Sequence, residues 1–283
     1  MTKILPNKLL VSEKFLSIQG EGKTSGVPAY FIRLSQCNLT CGSSIRYINK
    51  IKKGEINPDL NEPFVGDFEV DGTATWSCDT TPVWLRGDYV EFQEIIDEWK
   101  RLEIYDQICD GTIHIIWTGG EPTIIQHQDC IRNFTNYWNE ILLGEGVEHE
   151  SIHPIYEVET NGTVYIINGV FDLFDQINCS PKLSNSGMTE KQRIVPTAIE
   201  RIMSHNNYQF KFVISNEDDI KEMFDSYIIP FNIPLKNVVC MPALTEQENF
   251  FERTQWCMEM GKKYKFVALT RLHVASWNSL TGV

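Results

Sequence analysis

Short apolar runs of strand length recur along the chain at 30–34, 113–117, 155–158, 176–179, 209–214, 237–241 and 264–269. Between most of them the spacing is helical. Val90, Ile95, Ile96, Trp99 and Leu102 fall mainly on one helical face, and Ile131, Phe134, Trp138, Ile141 and Leu142 repeat the pattern. Strands alternating with helices predict an α/β protein whose parallel sheet carries its helices outside. The expected architecture is a partial, open β/α barrel of about six parallel strands, with the site in loops at the strands' C-terminal ends.

One stretch breaks this rhythm. Residues 42–77 hold a Gly-Ser-Ser start, the basic run Lys50-Ile-Lys-Lys-Gly, Asn57-Pro-Asp and an acidic segment around Asp67 and Asp71. It reads as a surface insertion, partly hairpin, within a single domain spanning 1–283. No repeat and no second core accompanies it.

The 283 residues and 42% hydrophobic content suffice for a sizeable core. With 25 basic against 38 acidic residues the net charge is -13, and no basic stripe could neutralise a phosphate backbone, which argues against a stable nucleic-acid partner. No eighteen apolar residues run together, and the first residues lack the apolar stretch of a signal peptide. A cytoplasmic protein without a membrane partner is expected. There its eight cysteines would be core residues or ligands and not a disulfide framework.

Cys37-Asn-Leu-Thr-Cys41 directly follows the run at 30–34, and Cys78-Asp79-Thr80 follows the insertion. Thiolates four positions apart can reach neighbouring corners of an iron-sulfur cube, and three protein ligands would leave one iron open to a small molecule. Taken by themselves, the same residues also suit buried free thiols or a zinc site. Cys109, Cys130, Cys179, Cys240 and Cys257 lie in or beside predicted elements and read as small core hydrophobes. The run at 113–117 leads into Thr118-Gly119-Gly120-Glu121-Pro122, where paired glycines let the backbone approach a ligand or simply make a tight turn.

Together the cysteine loop and the Gly-Gly-Glu-Pro turn resemble the radical S-adenosylmethionine superfamily. Within it, Phe15-Leu-Ser-Ile18-Gln19-Gly20-Glu21-Gly22, Gly26-Val-Pro-Ala-Tyr-Phe-Ile-Arg33, Cys-Asn-Leu-Thr-Cys and Cys78-Asp79-Thr80 resemble the 7-carboxy-7-deazaguanine synthases. The likeness continues at Glu157-Val-Glu-Thr-Asn-Gly162, Ser180-Pro-Lys182, Lys211-Phe-Val-Ile, Met241-Pro-Ala-Leu and Arg271-Leu-His-Val. The chain departs from the superfamily's C-x-x-x-C-x-x-C spacing, because 36 residues separate Cys41 from Cys78. Loop closure costs only about 0.6 kcal/mol per doubling of length, so a packed base could keep the three thiols together.

The resemblance implies a 4Fe-4S cluster on Cys37, Cys41 and Cys78, with S-adenosylmethionine bound at the open iron and cleaved to methionine and a 5'-deoxyadenosyl radical. The radical would take hydrogen from C6 of 6-carboxy-5,6,7,8-tetrahydropterin, whose ring contracts with loss of ammonia. It further implies cofactor contacts from Gly120 and Glu121, from Ser180, Pro181 and Lys182, and from Met241, Pro242, Ala243 and Leu244. Ile18, Gln19, Gly20 and Thr118 would meet the pterin. Arg33 would clamp its carboxylate with a bidentate fork. Thr80 would bind Mg2+ beside substrate oxygens, and the terminal carboxylate of Val283 would also reach the substrate. His273 is open between a pocket residue and an ordinary strand residue. A one-electron donor protein such as a flavodoxin and a homodimeric state complete the expectation.

Two rivals remain: a glycyl-radical activase, which has no need of the Ile-Gln-Gly-Glu-Gly segment, and a non-catalytic binding protein without a cluster. Cys78→Ala is expected to remove the cluster while leaving the domain folded, and Cys257→Ala to leave the cluster in place. Iron and sulfide content and the electron paramagnetic resonance spectrum of anaerobically prepared protein measure this, and a colourless protein holding zinc or no metal would favour the second rival.

Overall fold

The structure, a computed structural model, describes residues 7–56, 72–78, 80–144, 153–243 and 249–278. One sheet runs through it, built from β1 (Lys8–Ile18), β2 (Pro28–Leu34), β3 (Asp88–Glu91), β4 (His114–Gly119), β5 (Tyr156–Thr160), β6 (Gln176–Cys179), β7 (Tyr208–Ile214), β8 (Val238–Pro242) and β9 (Val267–Ala268). Their order is β3-β1-β2-β4-β5-β6-β7-β8-β9. From β2 to β9 all neighbours are parallel, which makes seven parallel strands, while β1 is antiparallel to both β2 and β3. Among the described residues β3 and β9 do not pair with each other, so the barrel is open.

Each of the seven apolar runs forms a parallel strand. The last is shortened, because Tyr264 closes the helix Phe250–Tyr264 and only Val267–Ala268 pair with β8. The antiparallel β1 and β3 are not legible as apolar runs. β1 carries Glu13 and Lys14 in its middle, and those charges find partners: Lys14 pairs with Glu98, and Glu13 with Arg33. Val90 belongs to β3 and not to the following helix, which starts at Phe92.

The two faces of the sheet differ in chemistry. Alternate strand residues such as Ile115, Trp117, Val158, Ile177, Phe210, Phe212 and Cys240 belong to one continuous core with the outer helices. The residues between them point the other way and are largely polar: His114, Thr118, Glu157, Glu159, Asn178, Gln209 and Lys211. A sheet covered on both faces ordinarily reads as continuous hydrophobic strands. Here the inner face bounds the barrel's interior, the chamber, in which Glu157, Asn178, Gln209 and Lys211 are themselves buried.

The loop between β1 and β2 floors that chamber. Flat, β2 and β7 would lie about 19 Å apart, four strand spacings of 4.8 Å. Yet Lys23 Nζ donates to the Tyr208 carbonyl at 3.0 Å and its backbone N–H to Gln209 at 3.0 Å, while Thr24 donates to Glu157 at 2.9 Å. The sheet must curl to bring these groups together. Since Tyr208 opens β7, the loop closes the N-terminal end of the barrel and leaves the C-terminal rim open.

Outside the sheet, the helices Phe92–Arg101 and Ile125–Gly144 supply an aromatic cluster. Trp99, 0% exposed, stands edge-on to Tyr30 and Phe134 at 5.8 Å and to Trp138 at 4.9 Å. The insertion begins with a helix, Ile45–Lys52, capped by Ser44 and burying Tyr47, Ile48 and Ile51. Of the insertion, 45–52 is thus helical, and the expected hairpin would fall on residues 57–71, which lie outside the description. No described helix is long and apolar enough to cross a membrane.

Trp99→Ala is expected to lower stability by about 3–5 kcal/mol, because it empties the centre of that cluster. Urea denaturation reads the loss.

Candidate active site at the C-terminal rim

The rim is assembled around the cysteine loop. Strand β2 ends at Leu34, and β4 delivers the paired glycines beside it: the Gly120 N–H donates to the Leu34 carbonyl at 3.0 Å and the Glu121 N–H to the Gln36 carbonyl at 2.9 Å. Gly119 has φ +127°, and a Cβ there would strike the Leu34 backbone. At Gly120 a Cβ would collide with the Gln36 carbonyl and come 2.9 Å from the Cys37 nitrogen. The sequence needs both glycines because two backbones touch here.

Glu121 follows, fully buried, and its carboxylate is consumed by the scaffold. Oε1 accepts from the Thr123 N–H at 2.9 Å, the Thr123 hydroxyl at 2.6 Å and the Thr160 hydroxyl at 2.8 Å, while Oε2 accepts from the Asn161 N–H at 2.7 Å. Burial nevertheless raises its pKa, against those hydrogen bonds. Toward a ligand, the turn therefore offers main-chain groups. The same clasp reaches the cysteine loop, since Asn161 donates to Asn38 at 2.9 Å and Asn38 to Thr163 at 2.8 Å. Ser180, at the end of β6, donates its N–H to the Thr160 carbonyl at 2.7 Å. Cysteine loop, Gly-Gly-Glu turn, Thr160-Asn161-Gly162 and Ser180 form one hydrogen-bonded arc.

Cys78 joins this arc from the far end of the insertion. Its N–H donates to the Cys41 carbonyl at 2.8 Å. Gly42, at φ +79°, lets Trp76 and Ser77 press against the outgoing limb. Below that contact Ser43 bonds both Ser77 and Thr81 at 2.8 Å, all three buried. The base of the insertion is pinned, so the long excursion does not separate the thiols.

Among the described residues no three His, Cys, Asp or Glu side chains close around one point as the ligands of a single ion do. A four-iron cube instead places each thiolate on a different iron, so its ligands stand apart. Cys37, Cys41 and Cys78 suit that arrangement: soft sulfurs on adjoining backbone, within electrostatic reach of one another, with Cys41 buried and the other two half-buried. Burial pushes the Cys41 thiol up to about 12, with the nearby Lys182 charge opposing it. Burial, then Glu121, raises Cys37 further. A cationic cluster would supply the positive field that these thiols lack as ligands.

The other expected residues take varied positions. The Thr80 hydroxyl lies 3.1 Å from Cys78 Sγ. Arg33 and Thr118 are register partners on the inner face of β2 and β4, but the Arg33 Nε already faces Glu13 at 3.0 Å. Ile18 ends β1 at the floor, where the Gln19 amide donates to Glu159 at 3.0 Å and accepts from the Glu21 N–H at 3.2 Å. Gly20 packs against the ring of His273, and its carbonyl takes the Leu272 N–H at 3.0 Å. Pro181 is buried, Lys182 half-buried, and Met241 and Pro242 are buried beside half-buried Ala243. Leu244 and Val283 lie outside the described residues.

The inner wall contains a charge network that motif reading did not single out as site residues. Lys211, 1% exposed, donates to Glu159 at 2.6 Å and to Glu21 at 3.1 Å. Glu21 also meets Arg271 at 2.9 Å and His273 at 4.0 Å. Burial alone would raise Glu21, but Lys211, Arg271 and His273 hold it well below the usual carboxylate range. Glu159, equally buried but with less cationic company, is raised. Burial alone would lower Lys211, and the two carboxylates hold it above its ordinary value. The alternation in Tyr156-Glu157-Val158-Glu159 and Tyr208-Gln209-Phe210-Lys211-Phe212, inside central parallel strands, was the signal that could have found this wall.

No family model matches the chain. It is 26% identical over 277 residues to the 7-carboxy-7-deazaguanine synthase of Pyrobaculum aerophilum, covering 97% of each chain. To the enzyme of that name from Halobacterium salinarum it is 25% identical, over 95% of this chain and 91% of that one. Among solved structures, QueE from Escherichia coli shares the fold with TM-score 0.53 and 19% identity over 94% of this chain and 95% of that one. That likeness is one of fold, a large and mostly parallel open sheet. Along nearly its whole length the chain is thus similar to proteins named 7-carboxy-7-deazaguanine synthase.

Gly120→Ala is expected to cut bound iron at least about fivefold, since the added methyl must displace the Cys37 backbone. Iron content beside an unchanged urea midpoint reads this, and full iron occupancy would show that the turn yields instead.

Proposed function

We propose that this chain is a 7-carboxy-7-deazaguanine synthase that converts 6-carboxy-5,6,7,8-tetrahydropterin to 7-carboxy-7-deazaguanine with loss of ammonia, in 7-deazapurine biosynthesis. The observation that carries the reading is the pairing of a three-cysteine rim with a polar, charge-bearing chamber beneath it, in a chain collinear with enzymes of that name. Cys37, Cys41 and Cys78 would hold the 4Fe-4S cluster. Gly120, Ser180 to Lys182 and Met241 to Ala243 would hold S-adenosylmethionine. When bound, these two groups supply the one-electron reduction that starts radical chemistry, with a donor such as a flavodoxin providing the electron.

The chain's own residues orient the substrate and exclude water. A planar pterin offers ring N–H donors and a carboxylate. Glu159 and Glu21 are acceptors for the former, and Arg33 and Lys211 are cations for the latter. Arg33 would exchange Glu13 for the substrate carboxylate, which suits a pair whose facing atoms, Nε and Oε2, are buried without a well-aligned hydrogen bond. Glu159, paired with Lys211 and bonded to the Gln19 amide, would accept from the substrate and not protonate it. Thr80, beside Cys78, would offer one hydroxyl to Mg2+, a hard cation that keeps several waters.

Anaerobically reconstituted protein given reductant, S-adenosylmethionine and carboxy-tetrahydropterin is expected to release 7-carboxy-7-deazaguanine and ammonia. Formation of 5'-deoxyadenosine without that product would overturn the substrate assignment.

A further inference from the structure

The return limb of the insertion, Thr75 to Cys78, runs along the loop that follows Ser180-Pro181-Lys182. The Thr75 N–H donates to the Asn185 carbonyl at 2.9 Å, and Trp76 Nε1 donates to the Asn185 side chain at 3.0 Å. Asn185 is itself held, because its amide donates to Asp219 at 3.0 Å. The indole face is turned to Lys182, whose Nζ lies 5.9 Å from the ring centroid. Two residues beyond Trp76 comes Cys78, hydrogen-bonded to Cys41.

The main chain at Lys182 is fixed independently, since buried Tyr227 donates to its carbonyl at 2.7 Å. What remains free is the four-carbon stem, which carries about 2 kcal/mol of rotamer entropy. An aromatic face within about 6 Å attracts an ammonium and restricts where that stem points. The charge so directed is felt at Cys41, inside the thiol pocket.

We infer that Trp76 is a positioning residue: the insertion uses its indole to fix the Lys182 ammonium against the cluster rim, where it meets an anionic group of the cofactor. This rests on the proposed cofactor site. It makes the insertion a working wall of that site and not a passive excursion, because the indole sits between the last cluster thiol and the cofactor loop.

The test measures S-adenosylmethionine binding to reconstituted protein by calorimetry, and the change in the reduced cluster's electron paramagnetic resonance spectrum on adding it. Iron content and the urea midpoint are measured alongside. Trp76→Leu is expected to keep its iron and weaken cofactor binding about tenfold, the worth of one cation–π contact plus one hydrogen bond. Trp76→Phe, which keeps a ring but loses the bond to Asn185, is expected to recover part of that loss. In a Lys182→Met background, Trp76→Leu is expected to add little.

Unchanged binding in Trp76→Leu would overturn the inference, as would a loss of iron matching the loss of binding, which would reduce Trp76 to a support for Cys78. Simple additivity of the two substitutions would overturn it too. A wild-type protein that holds the cluster yet binds no S-adenosylmethionine would instead strike the proposed function beneath it.

Discussion

Charge buried inside a sheet must be answered by charge, and Lys211 is where this fold meets that demand. One ammonium joins β7 to β5 through Glu159 and to the β1–β2 loop through Glu21. Removing one partner from such a buried group typically costs 3–5 kcal/mol, so the chamber's wall and floor are set together. The opposite displacement of the two carboxylates follows from the same arrangement: Glu21 faces Lys211, Arg271 and the His273 ring, whereas Glu159 depends mainly on Lys211. Closed β/α barrels fill the corresponding space with branched hydrocarbons, whereas here polar side chains occupy it.

The rim solves a different problem, that of holding three thiols in register although one of them arrives after a long detour. Backbone contact is the solution at both ends. Gly119 and Gly120 bring β4 against Gln36 and Cys37, and Gly42 brings the return limb against Cys41. Buried hydroxyls of Ser43, Ser77 and Thr81 close the base. None of these contacts depends on the length of chain between them.

Much of this was legible in the sequence, and the rest was hidden for identifiable reasons. The seven parallel strands announced themselves because their outward residues are apolar and bounded by turns. β1 did not, because Glu13 and Lys14 interrupt it and find their ion-pair partners, Arg33, Glu94 and Glu98, elsewhere in the chain. The three cysteines and the Gly-Gly-Glu turn are local motifs and could be read directly. The Lys211 network joins positions some 190 residues apart, and nothing local marks such a partnership except polar residues at every second place in a central parallel strand. Glu121 was legible as a motif residue but not in its orientation, since its four donors come from the turn itself and from the end of β5. Trp76 carried no signal at all, because its importance lies in what a neighbouring loop presents to it.

That bracing of Glu121 has a mechanical consequence. A carboxylate gripped from four sides has no second resting place, so the glycine shelf above it stays where it is whether or not a reactant is seated. Any movement of the rim would therefore have to hinge elsewhere, with the shelf as its stationary datum.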